Sequence, residues 1–269
     1  MIYTIMNSSE AATVSGYLEN AIWKNFNMRL WTFKIYNNVP IADDYTDIFT
    51  QKRECAKGFS SQSNKDIKFL PVNVFKKFPN LVAYRVNNGK VKSISAKHFE
   101  NLGELRYLNL YDNQISTISN NAFKDLKKLK ILNLEKNILK SIHAYTFYSL
   151  NNLRILYLNK NQIETVSIYS FDHLTELQNV SLANNKLESW NGDYLSENKK
   201  LEYIWLHENK IINISPTSFD EMNNLKYVDL RNNQCINNYY GTKKFSSMKE
   251  NIQENCQAKG SFEESDENE

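Results

Sequence analysis

Hydrophobic residues recur at a fixed interval over more than half of the chain. Seven leucines, each 24 residues after the previous one, begin seven consecutive units that we call repeats 1 to 7: Leu81, Leu105, Leu129, Leu153, Leu177, Leu201 and Leu225. Apolar residues occupy the first, fourth and sixth positions of a repeat, and asparagine occupies the ninth position in repeats 2 to 7. Alternation of this kind predicts a short strand with one buried face. A second apolar group later in each repeat predicts a returning segment on the other side.

These positions fit the leucine-rich-repeat template L-x-x-L-x-L-x-x-N-x-L. LRYLNLYDNQI (105–115) and LRILYLNKNQI (153–163) match it at every fixed position. Periods of 20 to 29 residues with this template indicate a leucine-rich-repeat solenoid. The predicted fold is an α/β solenoid, a curved horseshoe with parallel strands on its concave face. Because strands lie about 4.8 Å apart, seven of them give that face a length of roughly 35 Å.

Two recurring residues are interpreted as structural. The ninth position forms an asparagine ladder: Asn113, Asn137, Asn161, Asn185, Asn209 and Asn233. A buried amide is costly unless it is hydrogen-bonded, so we expect each one to bond the main chain of its own turn and the next. Repeat 1 has Gly89 there, and glycine tolerates unusual dihedral angles. A phenylalanine of the returning segment is expected to stack between repeats: Phe123, Phe147, Phe171 and Phe219. Repeat 5 carries Trp190 and Leu195 instead, which predicts a local distortion.

The pattern divides the chain into four regions. Residues 1–66 are interpreted as an N-terminal cap region, because a solenoid needs ends that cover its first repeat. Within it, 8–26 has helical spacing and 30–36 alternates like a strand. The solenoid is predicted over 67–236, and it comprises a capping half-repeat and the seven repeats. A C-terminal cap helix is predicted within 237–256, and 257–269 is predicted to be an acidic disordered tail.

The three cysteines bear on the C-terminal cap and on the cellular compartment. Cys235 takes the eleventh position of repeat 7, and Cys256 follows the predicted cap helix. A disulfide between them would close the cap over the last repeat; the alternative is two reduced cysteines in the core. Cys55 is left over. It is either a free thiol, paired with another chain, or separated from its partner by truncation of the N-terminus.

Charge and hydropathy bear on three properties: nucleic-acid binding, membrane insertion and export. The net charge is +3, but residues 257–269 contribute −4, which leaves +7 on the other 256 residues. A basic charge this diffuse does not predict nucleic-acid binding. No apolar run reaches 18 residues, so no membrane span is predicted. The N-terminus lacks the regions of a signal peptide: a leader was removed, is missing from the gene model, or is not used for export.

The flanking segments carry a resemblance to a known group. GFSSQSNKDIKFLP (58–71), FPNLVAYRV (78–86) and VDLRNNQCIN (228–237) with the later Cys256 resemble the extracellular leucine-rich-repeat proteins of dipteran insects, including the immune-type group. The resemblance covers about residues 55–256. It implies a secreted, non-catalytic recognition protein, in some relatives engaged in innate immunity. Those relatives usually have a signal peptide and more N-terminal cysteines, and some pair through a C-terminal coiled coil, which the acidic tail replaces here.

Catalytic, metal and cofactor sites are not predicted. His207 is the one histidine at an inner-face strand position, and HENKI (207–211) lacks the second histidine of a zinc-protease helix. The sequence contains no phosphate loop, nucleophile elbow or CxxC pair. Binding is therefore the predicted activity.

Outward positions on the strands supply the candidate binding residues: Tyr107, Tyr111, Tyr157, Tyr203, Trp205, His207, Tyr227 and Arg231. Tyr, Trp and Arg carry most interface energy, although aromatic residues also simply favour strands. The cluster around Trp205 is the stronger candidate, because an exposed aromatic cluster lowers solubility unless it is used. Glycosylation sequons occur at Asn7, Asn179 and Asn213, and a glycan on Asn179 would divide the inner face.

The sequence thus predicts a secreted protein that binds a protein or microbial-surface glycoconjugate on its concave face, without nucleic acid. The alternative is an intracellular leucine-rich-repeat scaffold or a regulatory subunit of an enzyme.

Overall fold

In the part of the chain that the structure describes, eleven strands form one continuous sheet whose spatial order follows the chain. A computed structural model describes residues 67–257 except 71, 191 and 221, together with three earlier strands. The strands of the sheet are, in order, Val14–Glu19, Leu30–Ile35, Gly58–Ser61, Ala83–Val86, Tyr107–Asn109, Ile131–Asn133, Ile155–Tyr157, Asn179–Ser181, Tyr203–Trp205, Tyr227–Asp229 and Tyr239–Gly241. Pairing is parallel from Leu30–Ile35 to Tyr227–Asp229 and antiparallel at both ends. The predicted solenoid with parallel strands is confirmed.

Strand register follows the 24-residue period. Ile131 pairs with Ile155, and Ile155 pairs with Asn179. Because side chains alternate along a strand, the fourth position enters the core, where Leu132 and Leu156 are fully buried. The third and fifth positions then lie on the opposite, concave face.

The returning segments are short and irregular. Each of six repeats returns through a two-residue strand: Ser93–Ile94, Thr117–Ile118, Ser141–Ile142, Thr165–Val166, Ser189–Trp190 and Asn213–Ile214. Helical turns cover Val74–Lys77 and Ala96–Phe99, and a 3₁₀ helix covers Gly192–Leu195.

Phenylalanine rings stack through the convex side of the core. Phe99, Phe123, Phe147 and Phe171 are buried and stack at centroid distances of 5.9 to 6.1 Å. The stack stops at repeat 5, where Leu195 takes the position. Trp190 is buried there, and its ring contacts Tyr194 edge-on at 5.3 Å. The 3₁₀ helix of this repeat is the distortion that the sequence predicted.

The ninth-position asparagines hydrogen-bond to the main chain between repeats. Nδ2 of Asn161 donates to the carbonyl oxygens of Leu134 and Leu158 at 3.0 and 2.9 Å. Oδ1 of Asn161 accepts from the backbone N–H of Leu139 at 3.1 Å. The partners outside its own repeat belong to the preceding repeat, not to the next one as predicted. The same pattern holds at the other ladder positions: Asn113, Asn137, Asn185, Asn209 and Asn233.

Gly89 interrupts this ladder for a steric reason. The positive φ of the turn belongs to Asn88 (57°), one residue earlier, so the predicted conformational reason was wrong. A Cβ atom on Gly89 would lie 2.6 Å from Oδ1 of Asn113 and 3.1 Å from the carbonyl oxygen of Ile67. Glycine is therefore required here by close packing against the capping half-repeat, whose Ile67 and Leu70 are buried.

Each end of the sheet contains structure that the sequence analysis did not predict. Residues 14–19 form a strand, so the helix predicted over 8–26 was wrong there. Gly16 and β-branched Val14 disfavour a helix, and the strand Leu30–Ile35 provides a pairing partner. At the other end, the strand Tyr239–Gly241 and a 3₁₀ helix Thr242–Lys244 precede the cap helix, which spans Phe245–Asn255.

The cap helix buries one face against the last repeat. Met248 and Ile252, on one face of that helix, are buried. The predicted Cys235–Cys256 disulfide is confirmed, with a Cα–Cα distance of 5.0 Å. Asn7, Cys55 and the tail after residue 257 lie outside the described residues.

Candidate recognition surface

Four aromatic side chains line the concave face at its C-terminal end. We call Tyr203, Trp205, Tyr227 and Tyr239 the C-terminal aromatic patch. Tyr203 and Trp205 are two residues apart on one strand, so they share a face, and their rings stack at 5.8 Å. Trp205 lies 6.4 Å from Tyr227, and Tyr227 lies 5.9 Å from Tyr239. The first three rings are half-buried and Tyr239 is 46% exposed, so the patch is a row of neighbouring rings that is partly open to solvent.

A carboxylate beneath the patch holds an arginine in place. Asp229 is 2% exposed, and its two oxygens accept from Nε and a terminal nitrogen of Arg231 at 2.9 and 2.6 Å. The backbone N–H of Arg231 also donates to Asp229, at 3.1 Å. The guanidinium lies 5.3 Å from the ring centre of Tyr239. A bidentate pair of this type fixes the arginine in one orientation, while its side chain stays 49% exposed.

The surroundings of Asp229 set its protonation. Burial raises the pKa of Asp229, but the side-chain and backbone hydrogen bonds from Arg231, and then the charges of His207 and Arg231, bring that pKa below its usual value. The pKa of Arg231 is raised by the same pair. Burial and then Asp229 raise the pKa of Tyr227, whose hydroxyl lies 3.3 Å from the carboxylate. Nδ1 of His207 lies 3.3 Å from Asp229, without a hydrogen bond among the described residues.

The N-terminal half of the concave face is built differently. Tyr107 is only 5% exposed and packs with Ala83 and Ile131 in a small apolar cluster. Nδ2 of Asn109 donates to its hydroxyl at 2.6 Å, and the Arg85 guanidinium lies 5.8 Å from its ring centre. Because Tyr107 is buried in this cluster, it offers little surface to a ligand.

The remaining two tyrosine candidates lie apart from the C-terminal aromatic patch. Tyr157 is half-buried against the apolar cluster that contains Tyr107. Tyr111 is also half-buried, and the Lys136 ammonium lies 5.2 Å from its ring centre. The structure thus brings together five of the eight predicted residues: Tyr203, Trp205, His207, Tyr227 and Arg231.

The two sequons within the described residues lie on opposite sides of the solenoid. Asn179 is half-buried on the concave face, paired between Ile155 and Tyr203. It therefore lies between the apolar cluster and the aromatic patch. Asn213 belongs to a convex two-residue strand. Glycosylation of either asparagine stays a prediction.

Sequence reasoning missed two members of the site. Asp229 occupies the fifth position of repeat 7, and an acidic residue in the sequence gives no indication by itself that it is buried. The signal that could have identified it is Arg231, an oppositely charged residue two positions later. Tyr239 lies outside the repeats, on a cap strand paired so that it faces Asp229.

The described residues form neither a metal-binding cluster nor a membrane-spanning helix. They contain no group of three or more His, Cys, Asp or Glu side chains arranged to hold a metal ion. None of the helices in the described part of the chain is long and apolar enough to cross a membrane.

Comparisons with known proteins agree with this architecture. The crystal structure of a TLR13–ssRNA13 complex is similar, with a TM-score of 0.63 and 27% sequence identity over 66% of this chain. The match spans 25% of that chain, so this protein corresponds to about a quarter of its length. No curated protein matches the sequence. The family model for leucine rich repeats matches residues 79–139, 127–187 and 175–234, more than half of the 269 residues. The chain belongs to the leucine-rich-repeat family.

Proposed function

We propose that this is a non-catalytic, secreted recognition protein whose C-terminal aromatic patch binds a protein or a microbial-surface glycoconjugate. The observation that carries the proposal is the row of four neighbouring rings, two of them stacked, that ends at the Asp229–Arg231 pair. Tyr, Trp and Arg dominate binding hot spots, and rings that are already ordered lose little entropy on binding.

The surrounding chemistry supports this class of ligand over nucleic acid. Arg231 and Lys244 lie 5.3 and 5.9 Å from the ring centre of Tyr239, and Asp229 neutralises Arg231, so the patch presents little of the positive charge that a phosphate backbone requires. The similar TLR13 structure is a complex with ssRNA13. The similarity to that receptor, with the resemblance to insect immune-type proteins, supports a role in innate immune recognition.

The disulfide supports the proposed compartment. Structural disulfides persist mainly in oxidising environments such as the extracellular space, and Cys235–Cys256 closes the cap of the solenoid. An intracellular scaffold would have to keep this cap in a reducing environment, which makes that alternative less favourable.

A pair of double variants tests the proposal. Three tagged proteins are compared: the wild type, Tyr203→Ala/Trp205→Ala and Lys124→Ala/Lys127→Ala. Each is incubated with the extracellular fluid in which the protein naturally occurs, and the molecules that co-purify with it are measured by mass spectrometry. Loss of two hot-spot rings costs about 2 kcal/mol or more, so we expect at least a tenfold loss of the main partner. The lysine pair is exposed outside the concave strands and should retain the partner. Equal retention by both variants, with unchanged melting temperatures, would contradict the proposal.

A further inference from the structure

Four exposed apolar side chains lie together on the convex side of repeats 3 and 4. We call Tyr145, Tyr148, Ile168 and Tyr169 the convex tyrosine patch, and each of them is 43 to 59% exposed. The rings of Tyr145 and Tyr148 meet edge-on at a centroid distance of 6.1 Å, and Tyr148 meets the ring of His173 at 4.3 Å. Tyr169 follows Tyr145 by one repeat, so the two are neighbours along the solenoid. A contiguous exposed apolar surface of this kind marks an interaction site.

The backbone of the patch is strained at two of its tyrosines. Tyr145 and Tyr169 both lie in the left-handed region, with φ values of 64° and 68°. The same position of repeat 2 holds Asn121, whose φ is 60°. Asparagine is one of the few residues that adopt this conformation readily, whereas a bulky side chain there is an outlier. Asparagine would therefore suit the fold better at both positions, and backbone strain of this kind is concentrated at functional sites.

Opposite charges flank Tyr148 along the solenoid. One repeat position holds Lys124 in repeat 2, Tyr148 in repeat 3 and Asp172 in repeat 4. The buried phenylalanines just before them stack at 6.1 Å from each repeat to the next, so Lys124 and Asp172 lie at similar distances on opposite sides of Tyr148. Among the residues that the structure describes, neither charged group forms an ion pair or a side-chain hydrogen bond. Burial and then Glu197 raise the pKa of Asp172, and only His173 opposes them, so its carboxylate lacks a strong cationic partner in its own chain.

We propose that the convex tyrosine patch is a self-association surface, on which a second copy of this chain docks about a two-fold axis at Tyr148. A two-fold interface uses the same surface of both copies, so that surface must complement itself. The row of Lys124, Tyr148 and Asp172 meets this condition. Rotation about Tyr148 turns Lys124 of each copy towards Asp172 of the other, and it brings the two Tyr148 rings together. Each charge that has no ion pair in one copy thereby gains an opposite charge from the second copy.

The charge pattern favours a second copy over a partner of one charge sign. A basic partner would be repelled by Lys124, and an acidic partner would be repelled by Asp172, within the same row. Because both copies are convex, only a few repeats make contact, and interfaces that bury less than about 1,200 Å² are weak. We therefore expect a dissociation constant in the micromolar range. The concave faces of the two copies point away from each other, so both C-terminal aromatic patches stay open to ligand.

Sedimentation velocity of the full chain tests the surface, and we expect the wild type to change from monomer to dimer between about 1 and 300 µM. Lys124→Asp and Asp172→Lys each place like charges opposite each other at both ends of the row, so each alone should weaken association at least tenfold. An equimolar mixture of these two variants pairs opposite charges again at both ends, so it should dimerise as the wild type does. Lys243→Asp makes the same charge change as Lys124→Asp at an exposed residue of the C-terminal cap, and it should also dimerise like the wild type.

A wild type that stays monomeric overturns the proposal, and so does a mixture that associates no better than its two components alone. Melting temperature gives a second readout that guards against misfolding. Tyr145→Asn/Tyr169→Asn should raise the melting temperature of dilute protein, because asparagine suits the left-handed conformation, and it should weaken dimerisation at least tenfold. A lower melting temperature would mean that the fold itself requires these tyrosines. That result, or dimerisation of this variant as tight as that of the wild type, overturns the assignment of the patch.

Discussion

Tyr107 and Tyr203 occupy the same repeat position at the two ends of the concave face, yet one is buried and the other is partly open. The neighbours of Tyr107 in the sheet are Ala83 and Ile131, which close around it. The neighbours of Tyr203 are Asn179 and Tyr227, and its ring stacks on Trp205 instead. The template thus decides which way a side chain points, while the residues one repeat away decide whether it joins a core or a binding surface.

The two ends also differ in how charge is arranged. The C-terminal end pairs Arg231 with Asp229 and Lys226 with Glu202, and it places the Lys244 ammonium 5.9 Å from the ring centre of Tyr239. The N-terminal half instead gathers Arg106, Lys130 and Arg154 along one edge. One face therefore has an aromatic surface at its C-terminal end and an apolar cluster around Tyr107 in its N-terminal half.

Removal of the disulfide should have the largest effect and should act on one end. Cys235→Ser/Cys256→Ser releases a loop whose ends are 21 residues apart, which costs about 3 kcal/mol of unfolding free energy. Each repeat contacts mainly its neighbours, so hydrogen exchange should show lost protection in repeats 6 and 7 and the cap. Protection in repeats 2 to 4 should hold. A uniform loss along the chain would mean that the two ends are not separable.

Alanine at the two tyrosines should have opposite consequences. Tyr107→Ala removes a buried ring and should cost about 2 kcal/mol of unfolding free energy, whereas half-buried Tyr203 should cost about half as much. Partner capture should show the reverse order, with the larger loss in Tyr203→Ala. Chemical denaturation measures the first quantity and co-purification the second.

Two outcomes of the Tyr107→Ala and Tyr203→Ala measurements would contradict the contrast between the two ends of the concave face. Equal unfolding free energies for the two variants would mean that Tyr107 is not held by Ala83 and Ile131. A loss of partner from Tyr107→Ala that matches the loss from Tyr203→Ala would extend the recognition surface into the apolar cluster.

The repeat period predicted the interior of this molecule better than its surface. The ladder asparagines and the cysteine at the eleventh position of repeat 7 are set by contacts that recur with the period, so register alone located them. Burial of Tyr107 and Asp229 depends on particular neighbours in adjacent repeats, which the template leaves variable. Tyr239 lies beyond the last repeat, on a strand that reverses direction. Residues 14–19 gain strand structure from pairing with a later segment, which helical spacing over a single stretch could not indicate.

The smallest predicted effect concerns pH and tests how firmly the C-terminal end is fixed. The pKa of Asp229 is lowered in the folded chain, so its contribution to stability is present above its unfolded pKa of about 3.9 and is lost as pH falls through the lower folded value. The charged and titratable groups facing it are His207 and Arg231, with Tyr227 beside them. Wild-type melting temperature should therefore fall more steeply below pH 4 than that of Asp229→Asn.

A convex-face carboxylate supplies a control of opposite sign. Burial and then Glu197 raise the pKa of Asp172, so Asp172 contributes stability at low pH that is lost as pH rises through the folded value. In the wild type, this group lowers the melting temperature as the pH rises from about 3 to about 6. Asp172→Asn removes that contribution, so its melting temperature should rise more steeply with pH over this range than that of the wild type. If Asp229→Asn follows the wild-type profile while Asp172→Asn departs from it, the carboxylate does not anchor Arg231 in solution. The aromatic patch would then end at Tyr227, without a fixed guanidinium.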